Sequence, residues 1–162
     1  MKEQDKGTKR EQQQDFGFFL SGISHSIQQY FNRVYDDYGI TYPQSRLLTY
    51  LIRTEQEAEE EGRTSSTNQR ELERALGIKA SSVSSLVRNL EARGFVTSGR
   101  VESDTRNKRI VLTEKGRMLD EVMARAVEET ENHLMEGMTT EEHAQLLGLL
   151  ARLNENASRL SE

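Results

Sequence analysis

The chain has 162 residues, 34% of them hydrophobic and 30% charged, with a net charge of −5; that is enough for one compact domain with extra helices, and for a core that needs no metal or disulfide. It has no cysteine, which excludes disulfides, thiolate nucleophiles, thiol redox sensing and sulfur-ligated metal sites. Residues 1–15 are charged and Gln-rich without the apolar run of a secretory signal, and no stretch is apolar over the length a bilayer demands, so a cytoplasmic protein with no membrane partner is expected.

Residues 1–14 read as a disordered arm. From Phe16 an apolar stripe runs through Phe19, Ile23, Ile27, Phe31, Val34 and Tyr38, predicting an amphipathic helix over 15–40 that ends at Gly39. Pro43 is placed to open a second helix, with Leu47, Leu48, Leu51 and Ile52 on its buried side. Five glutamates within 55–61, followed by the stretch 62–68, predict a solvated, mobile connection. A short helix over 69–76 turns Leu72 and Leu76 inward and closes at Gly77. Another starts at Ser81 or Ser82, either one a fair N-cap, buries Val83, Leu86, Val87 and Leu90, and closes at Gly94.

Phe95-Val96-Thr97 and residues 109–112 are β-prone, and the polar stretch between them predicts a hairpin with its turn within 103–107. Thr113 caps a long helix whose inner face is Leu119, Val122, Met123, Ala126, Val127, Thr130 and Leu134. Thr139 and Glu142 form a capping box before a last helix carrying Leu146, Leu147, Leu149, Leu150, Leu153 and Leu160. The fold class is thus mainly α with a small β-hairpin. It divides into a first helix, a winged helix-turn-helix over 41–113, and terminal helices over 114–162.

Charge is concentrated at the centre of this arrangement. From Lys79 to Arg109 there are seven basic and three acidic residues, a local +4, while the rest of the chain holds 15 basic and 24 acidic residues, or −9. A single basic segment on an acidic body is the footprint of a localised polyanion contact. Gly77 supplies the positive φ that a steep turn between two short helices needs, and Leu72, Leu76, Ile78, Val83 and Leu86 sit at offsets that would lock the second helix. An ordinary helical hairpin is the alternative. One position departs from the helix-turn-helix pattern: Glu73 stands four residues before the glycine, where close helix approach favours alanine.

The outward face of the second short helix carries Lys79, Ser81, Ser82, Ser84, Ser85, Arg88 and Asn89. Short hydroxyls, an amide and two cations can enter a major groove and reach base edges or phosphates. Four serines in five residues weaken a helix, so a purely solvated face would be better built from glutamate and lysine. In the hairpin, Asp104, Arg106, Lys108 and Arg109 make a basic tip that can lay an arginine in the adjacent minor groove, with Asp104 bracing it.

Residues 100–116, reading RVESDTRNKRIVLTEKG, resemble the wing of the multiple-antibiotic-resistance regulator (MarR) family. Residues 83–96, VSSLVRNLEARGFV, are similar to that family's recognition helix running into its wing. The resemblance spans about residues 16 to 155. It implies a homodimer with one winged helix-turn-helix per lobe and an interface built from the terminal helices. It also implies a repressor that leaves DNA when a small ligand, often aromatic or phenolic, binds between the dimer helices and the DNA-binding lobe. By position, Arg106 matches the minor-groove arginine and Asp104 its acidic companion, while Ser82, Ser84, Ser85 and Arg88 fall on the groove side; Arg100 is expected to contact DNA as well. Glu73 and the long acidic link over 55–68 depart from the family pattern, which leaves the shape of any ligand cleft open.

Dimerisation also follows from the residues: Leu146, Leu147, Leu149, Leu150 and Leu153 form a wide apolar face that calls for a partner. Two-fold symmetry would match a pseudo-palindromic operator with half-sites about 10 bp apart. His25, Tyr30, Tyr38 and Tyr42, with Phe19, could line a ligand cleft between the first two helices; core and interface packing is the plainer account of each. His25, His133 and His143 lack zinc-site spacing, so no metal and no cofactor are expected. No phosphate-binding glycine loop, Gly-x-Ser-x-Gly elbow or His-Glu-x-x-His motif is present, so the expectation is not an enzyme. The function expected is a DNA-binding transcriptional regulator, a repressor with double-stranded DNA, its own second copy and a small effector as partners. Rival readings are a ligand-independent or activating winged-helix regulator, and a protein-interaction module that uses the same shape without DNA.

Overall fold

The computed structural model describes residues 16–65, 67–101 and 104–161; for residues 100, 101, 104–107 and 161 it describes the backbone. The expected arm over 1–14 lies outside the described residues. The chain forms two compact units that divide between Arg117 and Met118.

The first unit opens with α1 (Phe16–Asp36) and α2 (Tyr42–Glu60). In α1 the buried residues are Phe31 and Tyr35. The predicted stripe is shifted at its end: Tyr35, one turn beyond Phe31, is buried, while Tyr38 lies past the helix and is exposed. Aromatic stacking explains the choice. The Phe31 ring sits 5.6 Å from Tyr35 and 5.2 Å from Tyr42, both nearly parallel, so Tyr35 joins a three-ring cluster that Tyr38 cannot reach. Gly39, at φ +63°, reverses the chain into α2, where Pro43 stands in the first turn.

The acidic stretch corrects the sequence expectation. Residues 55–60 continue α2 instead of forming a mobile link. Glutamate is a good helix former, and this tail is anchored on the inside by Ala58, which is fully buried. On the outside, Glu55 receives two hydrogen bonds from Arg117, at 2.7 and 2.9 Å. The helix ends at Glu61, and Gly62 turns the chain at φ +66°.

Next come α3 (Gln69–Leu76) and α4 (Ala80–Ala92). Asn68 caps α3 by accepting from Glu71 N–H at 3.1 Å, and Glu71 returns the bond to Asn68 N–H at 2.9 Å. Gly77 is left-handed at φ +65°, as the turn requires, and its N–H closes α3 on the Glu73 carbonyl. The N-cap of α4 is Lys79, in extended conformation and without a side-chain cap, so the helix starts a residue or two before the expected serine.

The wing is an antiparallel hairpin of β1 (Val96–Val101) and β2 (Asp104–Leu112), paired from Val96 with Leu112 to Val101 with Asp104. The strands are longer than expected: the ladder continues through the polar residues, and β2 already runs from Asp104, where a turn was predicted. On the other edge of β2, Ile110 N–H donates to the Thr67 carbonyl at 2.8 Å and Asn68 bridges to Arg109, so the segment before α3 caps the sheet. Leu47, Leu48, Leu72, Val83, Leu90, Phe95, Val96, Ile110 and Leu112 form the core where α2, α3, α4 and the hairpin meet. Each such side chain contributes on the order of 2 kcal/mol.

The predicted long helix after Thr113 is interrupted. A single turn, α5 (Glu114–Arg117), is capped by Thr113, whose hydroxyl accepts from Gly116 N–H at 3.1 Å. The second unit then begins, with α6 (Asp120–Leu134), α7 (Thr140–Ser158) and a closing 3-10 turn, η1 (Arg159–Ser161). The interruption falls at Met118 and Leu119, between α5 and α6. The expected capping box at α7 is present: Thr139 Oγ1 accepts from Glu142 N–H at 3.2 Å and Glu142 accepts from Thr139 N–H at 2.8 Å. No residue of α7 is buried, and Leu147, Leu149, Leu150 and Leu153 are 38–54% exposed.

Candidate nucleic-acid interface

The surface that could meet DNA is built on α4. Val83, Val87 and Leu90 are its buried residues, packed on the core shared with α2 and α3. The helical period then turns Ser81, Ser85 and Arg88 to the opposite side, with Ser82 flanking them and Lys79 at the helix start; all five are exposed. Arg88 Nε donates to its own helix at the Ser84 carbonyl, 3.3 Å away, which lays the guanidinium along the exposed face.

Two residues expected on this face are already engaged. The Ser84 hydroxyl accepts from Gln69 Nε2 at 2.8 Å, and the same amide nitrogen lies 3.1 Å from the Ala80 carbonyl. Gln69 therefore stitches α3 to the first turn of α4. It also reaches Glu73 at 3.2 Å, which accounts for the residue that departs from the helix-turn-helix pattern: Glu73 is half-buried and used as an acceptor. Asn89 is exposed, yet its Oδ1 accepts from Gln44 Nε2 of α2 at 2.8 Å.

The hairpin is tied to α4 at its base. Glu91 accepts from the Ser98 N–H at 2.9 Å and from its hydroxyl at 2.7 Å, and these two bonds hold its carboxyl below the usual range, with a smaller contribution from Lys108. Phe95 is flanked by two cations, Lys115 Nζ 4.4 Å and the Arg93 guanidinium 5.5 Å from its ring centre. Lys108 is exposed on β2. Arg109 turns the other way and donates to the Ser65 carbonyl, so its guanidinium braces the segment before α3. The side chains of Arg100, Asp104 and Arg106 lie outside the described residues; their backbones belong to the hairpin.

Of the expected ligand residues, Tyr30 and Tyr42 meet at Phe31, Tyr30 edge-on at 5.7 Å and Tyr42 stacked. Tyr35 completes the cluster: burial pushes its hydroxyl up to about 12, against a hydrogen bond with Ser45 that lowers it. His25 stands apart on an exposed turn of α1 beside Gln29, at 2.7 Å, and the Tyr38 carbonyl accepts from Arg93. Among the described residues no group of His, Asp or Glu is arranged to hold a metal ion, and no helix is long and apolar enough to cross a membrane. The positioning residues Gln69, Glu91 and Arg93 carry no motif, so sequence reasoning missed them; Gln44 was missed too, although it closes a Thr41-x-x-Gln44 capping box whose spacing could have found it. The Asn68–Glu71 capping box was legible in its spacing.

Two short helices joined by a left-handed glycine, with a hairpin hung directly on the second, define a winged helix-turn-helix protein of the DNA-binding class. Residues 38–107 match the family model of the MarR family. The chain is similar to MepR of S. aureus, solved in complex with DNA, at 27% identity and a TM-score of 0.78 over 88% of this chain and 98% of that one. It is similar to a MarR transcriptional regulator from Methanosarcina mazei Go1 at 25% identity and a TM-score of 0.77, over 89% and 96% of the two chains. The fold is also that of CouR from Rhodococcus jostii RHA1, solved bound to p-coumaroyl-CoA, at 24% identity and a TM-score of 0.69 over 86% and 91%. The matching family model and these solved structures are of MarR-family transcriptional regulators, and that is what the chain is similar to.

Proposed function

We propose that the protein is a repressor that binds a pseudo-palindromic operator as a homodimer and is released by a small ligand, aromatic ligands included. The observation that carries the DNA-binding part is the exposed face of α4, where Ser81, Ser82, Ser85 and Arg88 stand opposite the buried Val83, Val87 and Leu90. In this reading Lys79 and these four residues enter the major groove, and Arg100, Arg106 and Lys108 follow the backbone and the minor groove, with Asp104 bracing the tip. Ser84, Asn89 and Arg109 serve chiefly by holding the scaffold, since the Ser84 hydroxyl, the Asn89 Oδ1 and one Arg109 guanidinium nitrogen already have partners.

The homodimer is supported by the leucines exposed along α7 and, in the other unit, by Phe16, Phe18, Phe19, Leu20 and Ile23 exposed on α1, since clustered exposed apolar side chains mark an interaction site. The ligand is supported by the ring cluster of Phe31, Tyr35 and Tyr42, with Tyr30 at its edge, and by the acyl-CoA thioester bound to CouR. The test is fluorescence anisotropy with the duplex upstream of the protein's own gene, random duplex as competitor, salt varied, and candidate aromatic acids added to the complex. Tight, competitor-resistant and salt-sensitive binding that a ligand reverses is the expected result. Binding that no ligand shifts moves the reading to a ligand-independent regulator, and binding that random DNA removes moves it to a protein-interaction module.

A further inference from the structure

The elbow between α1 and α2 is fastened to α4 by two side chains one helical turn apart. Gln44, only 7% exposed, uses both ends of its amide: Oε1 accepts from Thr41 N–H at 2.9 Å and Nε2 donates to Asn89 Oδ1 at 2.8 Å. Four residues after Asn89, Arg93 donates to the Tyr38 carbonyl at 3.0 Å. The elbow is shaped to receive it: a Cβ on Gly39 would come within 2.2 Å of the Arg93 guanidinium. A backbone N–H can only donate, so Thr41 fixes which end of the Gln44 amide faces it, and this in turn fixes that Asn89 offers its oxygen to Gln44. Reading adenine in the major groove takes both ends of an asparagine amide, the oxygen for N6–H and the nitrogen for N7. With its oxygen turned to Gln44, Asn89 is not set for that pairing.

We propose that Gln44 and Asn89 are positioning residues for operator recognition: together with Arg93 on its glycine seat they set the angle of α4 against the α1–α2 elbow, and Asn89 acts through Gln44 and not by reading a base. This rests on the DNA-binding reading above.

The experiment measures affinity for the upstream duplex and for random duplex with the full chain and with Gln44→Ala, Gln44→Asn (too short to span the gap), Asn89→Ala and the Gln44→Ala/Asn89→Ala double variant. Measurements are made well below each variant's melting temperature. The expected result is a ratio of specific to random affinity reduced roughly threefold to a hundredfold in each single variant, by similar factors, with no further loss in the double variant. A loss of folded protein alone would lower both affinities together and leave the ratio intact; that outcome overturns the proposal. So does a ratio lost in Asn89→Ala but kept in both Gln44 variants, or losses that add in the double variant, since Asn89 would then read DNA directly. If the unsubstituted chain does not discriminate between the duplexes, the DNA-binding reading itself has failed. That failure is seen in the wild-type measurement before any variant is compared.

Discussion

Gly116 shows how one residue holds the wing to the helices. An added Cβ there would lie 2.3 Å from the Phe95 carbonyl oxygen and 2.9 Å from Leu112 Cδ2, and neither a backbone carbonyl nor a packed leucine can retreat cheaply. Gly116→Ala is expected to lower stability by about 1–3 kcal/mol, read as a shift in the urea midpoint. Gly77 is confined for a different reason: nothing crowds it, but its φ of +65° is one that side chains disfavour. Gly77→Ala should therefore cost about 1–2 kcal/mol through the backbone alone. Arg88 is exposed, and its Nε donates to the Ser84 carbonyl of its own helix. Its replacement by alanine should leave the melting temperature nearly unchanged and weaken binding to the upstream duplex by about 1–3 kcal/mol in an anisotropy titration.

Between elements, the bond from Glu91 to Ser98 couples the end of α4 to β1 and so to the aim of the wing. The Glu91 carboxyl is held below its ordinary 4.5, which means the folded state favours its charged form. The coupling is then fully present above that ordinary value and is lost as pH falls through the lower, folded one. The Ser98 amide should accordingly stay protected from hydrogen exchange down to pH values at which ordinary carboxylates have already protonated. In Glu91→Gln that protection should be weaker and should show no titration in this range. The tail of α2 illustrates a second relation between elements. Four closely spaced glutamates on a helix repel one another, yet Ala58 buries one side and Arg117 neutralises Glu55 on another. Arg117 is 45% and Glu55 27% exposed, so the pair contributes no more than about 1 kcal/mol; Arg117→Ala should fray the tail of α2 without unfolding the unit.

For the whole molecule, a polar acidic chain leaves two apolar surfaces uncovered, the first turns of α1 and the length of α7. The proposed dimer covers them. Sedimentation should give twice the chain mass, and Leu147→Glu combined with Leu150→Glu should return it to the monomer. Dimer loss should also flatten the dependence of operator affinity on salt, because two lobes neutralise about twice the phosphates of one.

What the sequence alone determined was whatever depends on local spacing. The apolar periods of α2, α3 and α4, the glycine at the helix-turn-helix corner, the Thr139–Glu142 box, the hairpin and the outward serines of α4 each rest on residues within a turn or two of one another; the stripes read along α1 and α6 held only in part, with Phe19, Ile23, Val127 and Leu134 exposed. Tertiary structure decided the rest, because the deciding partner lay far along the chain. Tyr35 is buried in place of Tyr38 because Tyr42 stacks on the same ring; the acidic stretch continues α2 with Ala58 buried beneath it and Arg117, 62 residues away, meeting Glu55. Arg109, Ser84 and Asn89 looked free to touch DNA until Ser65, Gln69 and Gln44 were brought against them. A polar side chain on a helix face has the same sequence pattern whether it waits for a ligand or bonds a neighbour, and only the fold supplies the neighbour.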